Sequence, residues 1–144
     1  MRDCYQGARI IVAGLMAVGI VCVAGAQGGG ALRTVRDGVY TTQQAERGAA
    51  VYARECAECH GPTLQEDDGA APLAGSAFVG VWKAYSAGDL YERMRKTMPK
   101  ESPGRLSARE YADILAQILR VNGYPAGNTE LTDRMELLKQ IRFE

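Results

Sequence analysis

Three stretches of the chain place apolar side chains every three to four residues, which is the spacing of one face of an α-helix. The clearest is "SAREYADILAQILRVNG", where Ser107 and Glu110 have the spacing of an N-terminal capping box and Gly123 marks the end. A second helix is predicted in "SAGDLYERMRKT", from a cap at Ser86 to the proline that follows Met98. No stretch alternates apolar and polar residues convincingly, so the pattern predicts an all-α fold.

The remaining predicted helix runs from about Gln43 to Glu55 and leads directly into the stretch "CAECHG". The stretch from Thr41 to Gln44 predicts a capping box at its start, and Gly48 belongs to a stripe of small side chains against which another helix could pack closely. Residues 61–80, which follow the stretch, are rich in turn-forming residues. We expect a loop there, of a length that usually wraps around something.

The two ends of the chain differ from its middle. Residues 1–26 combine a basic start, an apolar run and small residues before a cleavage position at Ala26, which predicts a signal peptide. The same apolar run is near the minimum length of a bilayer span, so a retained membrane anchor is the alternative. Residues 27–38 are glycine-rich and predict a flexible linker. Residues 39–126 are expected to form the folded domain. Residues 127–144 have a weaker apolar stripe and predict a C-terminal helical extension, with an extended strap laid over the domain as the alternative.

Composition and charge narrow the classes of function. The chain has 144 residues with 17 basic and 17 acidic side chains, so it lacks the basic surplus that nucleic-acid binding requires. Its length suits one small domain. Of its four cysteines, two lie in the leader, which leaves Cys56 and Cys59 without a further partner for a disulfide. The leader also predicts export, to the periplasm or the outer face of the cytoplasmic membrane.

Cys56, Cys59 and His60 form a Cys-x-x-Cys-His motif, and three kinds of site use such a cysteine spacing. A redox dithiol requires a strand before the motif, which the pattern lacks, and structural zinc usually requires a second ligand pair, which is also missing. The third kind is covalent haem attachment, in which two thiols bond to the haem vinyl groups and the histidine binds the iron. Together with the export signal, the motif predicts one haem c held through Cys56 and Cys59, with His60 as an iron ligand.

The other face of the iron needs a second ligand or stays open. His60 is the only histidine, so a methionine is the available soft ligand. Met98 lies where a helix ends and Pro99 restricts the backbone, so a loop can present its thioether to the iron. Met98 is therefore the predicted ligand, with Met94 and Met135 as alternatives. An open position would instead indicate a gas-binding or sensor haem protein, or a peroxidase.

These motifs together resemble a class I cytochrome c over roughly residues 41–123. The resemblance rests on "CAECHG", "APLAGSAF" and "TMP", on the first helix with Gly48, and on the last helix with Tyr111 and Leu115. It implies a cytochrome c fold, with three to five helices and long loops wrapped around one covalently bound haem. It also implies that Gly48 allows Tyr111 to approach closely where the first and last helices cross.

The resemblance assigns further residues to the haem site. It implies that the carbonyl of Pro62 accepts a hydrogen bond from Nδ1–H of the proximal histidine, which fixes the ring. It makes Phe78 and Trp82 candidate walls of the haem pocket, with the indole N–H of Trp82 as a candidate donor to a haem propionate. Both aromatic residues are equally suited to simple core packing.

Two longer stretches, "YTTQQAERG" and "SPGRLSAREYADILAQILRVNGYPAG", resemble the small cytochrome c domains found beside or fused to quinoprotein (PQQ-dependent) dehydrogenases. This implies an electron carrier, not an enzyme, that passes single electrons between redox partner proteins; the alternative is an electron-transfer subunit that serves one dehydrogenase. The donor would be a dehydrogenase, with a quinoprotein as one candidate, and the acceptor a terminal oxidase or another cytochrome. A membrane contact is expected only if the leader is retained. The identity of donor and acceptor stays open.

Overall fold

The computed structural model of the protein describes residues 33–65 and 69–144. The predicted leader and the first part of the predicted linker lie outside the described residues. The described elements, in chain order, are β1 (Arg33–Thr34), α1 (Thr42–Glu55), α2 (Ala57–His60), α3 (Gly75–Trp82), α4 (Ala87–Thr97), α5 (Ala108–Val121), α6 (Met135–Leu138) and β2 (Ile141–Arg142). The all-α prediction is confirmed. The six described helices exceed the predicted three to five because this number includes α2 and α6, which are single turns. None of these described helices is long and apolar enough to cross a membrane.

Helices α1 and α5 form the centre of the core, and one glycine sets how closely they cross. A Cβ built on Gly48 would lie 1.8 Å from the carbonyl oxygen of Asp113 and 3.1 Å from the Cβ of Gln117. A side chain is therefore excluded at Gly48. The resemblance implied Tyr111 as the close neighbour, but the atoms nearest to the built Cβ belong to Asp113 and Gln117. Tyr111 lies on another side of α5, where its ring packs edge-on against Tyr91 with 6.4 Å between the ring centroids.

The three long helices begin at the capping residues that the sequence predicts. The hydroxyl of Ser86 accepts a hydrogen bond from the N–H of Asp89, and the Asp89 carboxylate accepts one from the Ser86 backbone, so α4 has a complete capping box. Ser107 and Glu110 form the same arrangement at the start of α5. At α1 the hydroxyl of Thr41 accepts a hydrogen bond from the third helical N–H, but the predicted capping box is incomplete because the Gln44 side chain bonds to the backbone of Leu131 instead. These helix starts are therefore determined by a few neighbouring residues.

Helix α3 begins within the segment predicted to be a loop and extends two residues beyond it. Residues 61–80 contain many turn formers, yet the chain is helical from Gly75 to Trp82. Gly75 has φ of +83°, in the left-handed region that favours glycine, and so turns the chain into the helix. Phe78 is buried with 1% of its surface exposed. Burial of this aromatic ring outweighs the local turn propensity.

The prediction of a flexible linker over residues 27–38 is wrong for its described part. β1 pairs in parallel with β2 at the other end of the chain, with Arg33 opposite Ile141. Val35 is completely buried in the core, and its backbone N–H donates to the carbonyl of Arg142 at 2.9 Å. The glycine-rich run that suggested flexibility ends before β1, and the pairing partner is too distant in sequence for a local pattern to reveal it.

The C-terminal segment, predicted to be a helical extension or an extended strap, is mostly an extended strap over the domain. Within residues 127–144 only Met135–Leu138 is helical. The side-chain amide of Gln44 in α1 donates to the carbonyl of Leu131 at 2.9 Å and accepts from its N–H at 2.6 Å. Further along, the ammonium group of Lys139 lies 2.6 and 2.8 Å from two carboxylates of α4. These polar contacts hold the strap against both helices.

Candidate functional site

A cavity of about 730 Å³ opens beside the motif, helix α3 and the end of α4. Its size lies within the range of roughly 300–1,000 Å³ that is typical of ligand and cofactor pockets. Six of the seven predicted site residues line it, namely Cys56, Cys59, His60, Phe78, Trp82 and Met98. The fold thus brings a motif that follows the first long helix and a methionine that follows α4 to the same cavity. Pro62 is exposed and is not among the lining residues.

Cys56 lies at the junction of α1 and α2, and Cys59 lies within α2. Cys56 ends α1, with its backbone N–H donating to the carbonyl of Tyr52 at 2.9 Å. The hydroxyl of Tyr52 donates to the carbonyl of Gly61 at 2.7 Å and so ties the end of the motif to α1. Burial, with a smaller contribution from the neighbouring Cys59, raises the pKa of the Cys56 thiol to about 11. Neither cysteine forms a disulfide, so both thiols are available for bonding to a cofactor.

His60 is buried, and its ring is held by a backbone carbonyl. Its Nδ1 lies 3.0 Å from the carbonyl oxygen of Ala71. A carbonyl can only accept a hydrogen bond, so Nδ1 carries the proton and Nε2 keeps its lone pair for a metal. The prediction that the carbonyl of Pro62 is the acceptor is wrong. The chain folds back through a 2.8 Å hydrogen bond from the N–H of Leu73 to the carbonyl of Leu64, and this brings Ala71 beside the ring.

Two methionines line the cavity. Met98 is the first residue after α4, and its N–H donates to the carbonyl of Met94 at 2.9 Å. The side chain of Met98 is half-buried at the cavity, whereas that of Met94 is 7% exposed and belongs to the core as well. Met135, the other alternative, packs against the core and is not among the lining residues. Met98 and Met94 therefore remain as the candidate thioether ligands at this cavity.

Phe78 and Trp82 lie one turn apart on α3 and form an aromatic wall of the cavity. Their ring centroids are 6.2 Å apart. Phe143 of the C-terminal strap packs against both rings, edge-on at 5.9 Å from Phe78 and tilted at 6.2 Å from Trp82. The two residues of α3 thus line the cavity and at the same time belong to an aromatic cluster in the core.

Two contacts of the site have no counterpart in the sequence predictions. The partner of His60 is the carbonyl of Ala71, and since every residue has a carbonyl, no residue type could have marked it. The hydroxyl of Tyr111 donates to the carbonyl of Met98 at 2.6 Å. Tyr111 lies three residues before Ile114, which also lines the cavity, and this helical spacing could have placed both on the cavity face of α5.

Comparisons with known proteins point to one family. A family model described as cytochrome c oxidase, cbb3-type, subunit III, matches residues 43–118, more than half of the chain. Among solved structures, the fold is similar to a chain in the crystal structure of the sulfane dehydrogenase SoxCD from Paracoccus pantotrophus. That match has a TM-score of 0.56 and 22% sequence identity and covers 89% of this chain and 68% of the other, so it concerns the fold alone. No curated protein matches the sequence.

The residues at the cavity fit haem c, the cofactor of cytochrome c proteins. Two free thiols stand at the spacing that thioether attachment requires, and His60 offers a nitrogen lone pair beside them. The lining contains many aliphatic and aromatic side chains, which suit the apolar faces of a porphyrin. This donor set and the family match decide against the zinc and dithiol alternatives. The chain therefore belongs to the cytochrome c family described as cytochrome c oxidase, cbb3-type, subunit III, with haem c attached through Cys56 and Cys59.

Proposed function

We propose that this cytochrome is an exported mono-haem electron carrier in which His60 and Met98 bind the iron from opposite faces of the haem. The observation that carries the proposal is the single cavity that both side chains line, with the attachment cysteines beside them. A histidine and a methionine are a known axial pair of c-type cytochromes, and the thioether raises the reduction potential. Met98 is preferred over Met94 because it follows the helix end and is not committed to the core.

The surroundings of the cavity support electron transfer over chemistry on a bound substrate. When bound, haem c supplies an iron that alternates between Fe(III) and Fe(II). His60 and Met98 would hold the iron, and an exogenous molecule would have to displace one of these side chains to reach it. The carbonyl of Ala71 orients His60 and makes Nε2 a stronger donor. The apolar walls disfavour the extra positive charge of Fe(III), so we expect a positive reduction potential.

The location and partners are proposed from the leader and from the relatives. The leader over residues 1–26 has the pattern of an export signal, which supports the periplasm or the outer face of the cytoplasmic membrane. The similar solved structure is a dehydrogenase, and two stretches of the sequence resemble domains that accompany quinoprotein dehydrogenases. Both support a dehydrogenase as the electron donor, which the protein would serve as a carrier or electron-transfer subunit. The family description names an oxidase subunit, which supports a terminal oxidase or another cytochrome as the acceptor.

Carbon monoxide distinguishes a carrier with both axial positions filled from a gas-binding, sensor or peroxidase-type protein. The reduced holo protein at neutral pH should bind carbon monoxide slowly and incompletely, because Met98 occupies the position. Rapid stoichiometric binding would show an open iron and overturn the proposal. Met98→Ala should abolish the sulfur-to-iron charge-transfer band of the oxidised protein and open the iron to carbon monoxide. Met94→Ala, which removes the other cavity methionine, should keep the band.

Co-purification from the native envelope tests the partners separately. We expect the mature protein to be recovered with a dehydrogenase that reduces its haem when the dehydrogenase substrate is added. Reduction only by another cytochrome would refute the proposed donor while leaving the carrier function intact.

A further inference from the structure

The hydroxyl of Tyr111 joins the two ends of the loop that carries Met98. It donates to the carbonyl oxygen of Met98 at 2.6 Å and accepts from the N–H of Gly104 at 3.1 Å. The N–H of Gly104 also lies 3.3 Å from the carbonyl of Met98. Tyr111 itself is 1% exposed and lines the cavity, so a buried side chain of α5 holds a loop at the surface.

Hydrogen bonds at the two ends of the loop matter because its middle has little packing. Residues 100–105 are all exposed. The loop's other attachments are buried Pro99 and an ion pair between Arg105 and Glu55. The N–H of Ser102 donates to the carbonyl of Pro99 at 3.0 Å, but this bond lies within the loop and does not attach it to the rest of the protein. The bond from Tyr111, in contrast, acts on the backbone of the residue whose thioether lines the cavity. Any loosening of it therefore reaches Met98 directly.

We propose that Tyr111 is a positioning residue for the sixth ligand of the iron. Its hydroxyl holds the Met98 loop closed, so that the thioether stays at the iron and competing ligands are kept out. This inference rests on the proposed function, since it takes Met98 as the ligand. Tyr111→Phe keeps the ring but removes both hydrogen bonds of the hydroxyl, so that only the 3.3 Å contact between the N–H of Gly104 and the carbonyl of Met98 still closes the loop, which favours its opening to water.

Tyr91 offers a matched control from the same pair of rings. It is fully buried, its ring packs edge-on against that of Tyr111, and its hydroxyl donates to the carbonyl of Ala108 at 3.0 Å. Tyr91→Phe thus removes one hydroxyl hydrogen bond to a backbone carbonyl, as Tyr111→Phe does, without acting on the Met98 loop. A general loss of stability should appear in both variants, whereas loss of ligand positioning should appear only in Tyr111→Phe.

Imidazole binding to the oxidised holo protein is the decisive measurement, because imidazole competes with the thioether for the iron. We expect Tyr111→Phe to bind imidazole roughly tenfold more tightly than wild type, since loop opening becomes easier by about the worth of one buried hydrogen bond. Tyr91→Phe should stay near the wild-type affinity. Equal affinity in wild type and Tyr111→Phe, or an equal increase in both variants, would overturn the positioning role.

The outcomes separate this inference from the proposed function. If wild type binds imidazole as readily as Met98→Ala does, the assignment of Met98 as the ligand fails, and the inference fails with it. If wild type resists imidazole and Tyr111→Phe resists it equally, only the positioning role fails. Hydrogen exchange provides a measurement without a variant: in wild-type holo protein the amide of Gly104 should exchange more slowly than the amide of exposed Glu101. Equal exchange rates would contradict the positioning role of Tyr111.

Discussion

Replacing Gly48 with alanine should force α1 and α5 apart and destabilise the protein. The added Cβ would lie 1.8 Å from the carbonyl oxygen of Asp113 and 2.4 Å from its carbonyl carbon. The two backbones must therefore separate locally by about 1.5 Å to reach ordinary van der Waals contact. The neighbour is a helix backbone, which has no alternative rotamer. A contact this short against backbone takes the overpacking cost to the upper end of its range, about 3 kcal/mol; the helix propensity of alanine returns about 0.5–1 kcal/mol, so we expect a net loss of about 2 kcal/mol.

Chemical denaturation of the holo protein measures this loss against two other glycines. Gly80 lies within α3, and no atom outside its immediate neighbourhood lies within 4 Å of a Cβ built there. Gly80→Ala should therefore gain about 0.5–1 kcal/mol from propensity alone. At Gly88 a built Cβ would lie 2.6 Å from the backbone nitrogen of Lys139, so Gly88→Ala should fall between the other two variants. The slope of unfolding free energy against denaturant should be the same in all of them.

The order of the three variants decides whether the reasoning from distances is right. If Gly48→Ala is as stable as wild type, the helices can separate freely and close crossing does not limit their packing. If Gly80→Ala loses as much stability as Gly48→Ala, the loss has a cause other than the contact between helices. Either result would refute the argument.

Two further predictions concern the strap. Gln44→Ala removes both hydrogen bonds to the buried backbone of Leu131 and should lower the free energy of unfolding by about 1–3 kcal/mol. Gln43→Ala, at the exposed neighbouring residue, should change it by less than about 0.5 kcal/mol. Similar losses in both variants would contradict this prediction. Burial raises the pKa of Asp89, but hydrogen bonds, led by that from Lys139, outweigh it and lower the pKa from 3.8 to about 2. The stability that ionised Asp89 contributes is thus present at neutral pH and lost as the pH falls from about 4 to 2. Asp89→Asn should therefore be less stable than wild type at pH 7 but not at pH 2, measured by denaturation, and an equal deficit at both would refute the linkage.

The parts of the fold that depend on a few neighbouring residues could be predicted from the sequence. The starts of α4 and α5 follow from Ser86 and Ser107 because each cap is completed by the side chain three residues later. The parts that depend on distant segments could not. β1 forms because β2, at the other end of the chain, supplies its hydrogen-bond partners, and α3 forms because the core receives Phe78.

The same division holds within the site. Cys56, Cys59 and His60 stand in one short motif, so their grouping is a local property of the chain. The position of Met98 at the cavity follows from the end of α4, which the sequence also predicts. The acceptor for His60 is different, because it depends on how the loop folds back after the motif. Its assignment to Pro62 came from a resemblance, and only the tertiary structure identifies the carbonyl of Ala71.

The predicted boundary at residue 126 does not separate two structural units. Phe143, near the end of the strap, is 1% exposed and completes the aromatic cluster of Phe78 and Trp82 behind the cavity. The family match stops at residue 118, so this support for the cavity wall comes from outside the matched region. β2 also pairs with β1, which places both ends of the described chain against the same core. A fragment limited to residues 39–126 would leave Phe78 without one of its ring contacts, so the unit that encloses the haem cavity extends over the strap.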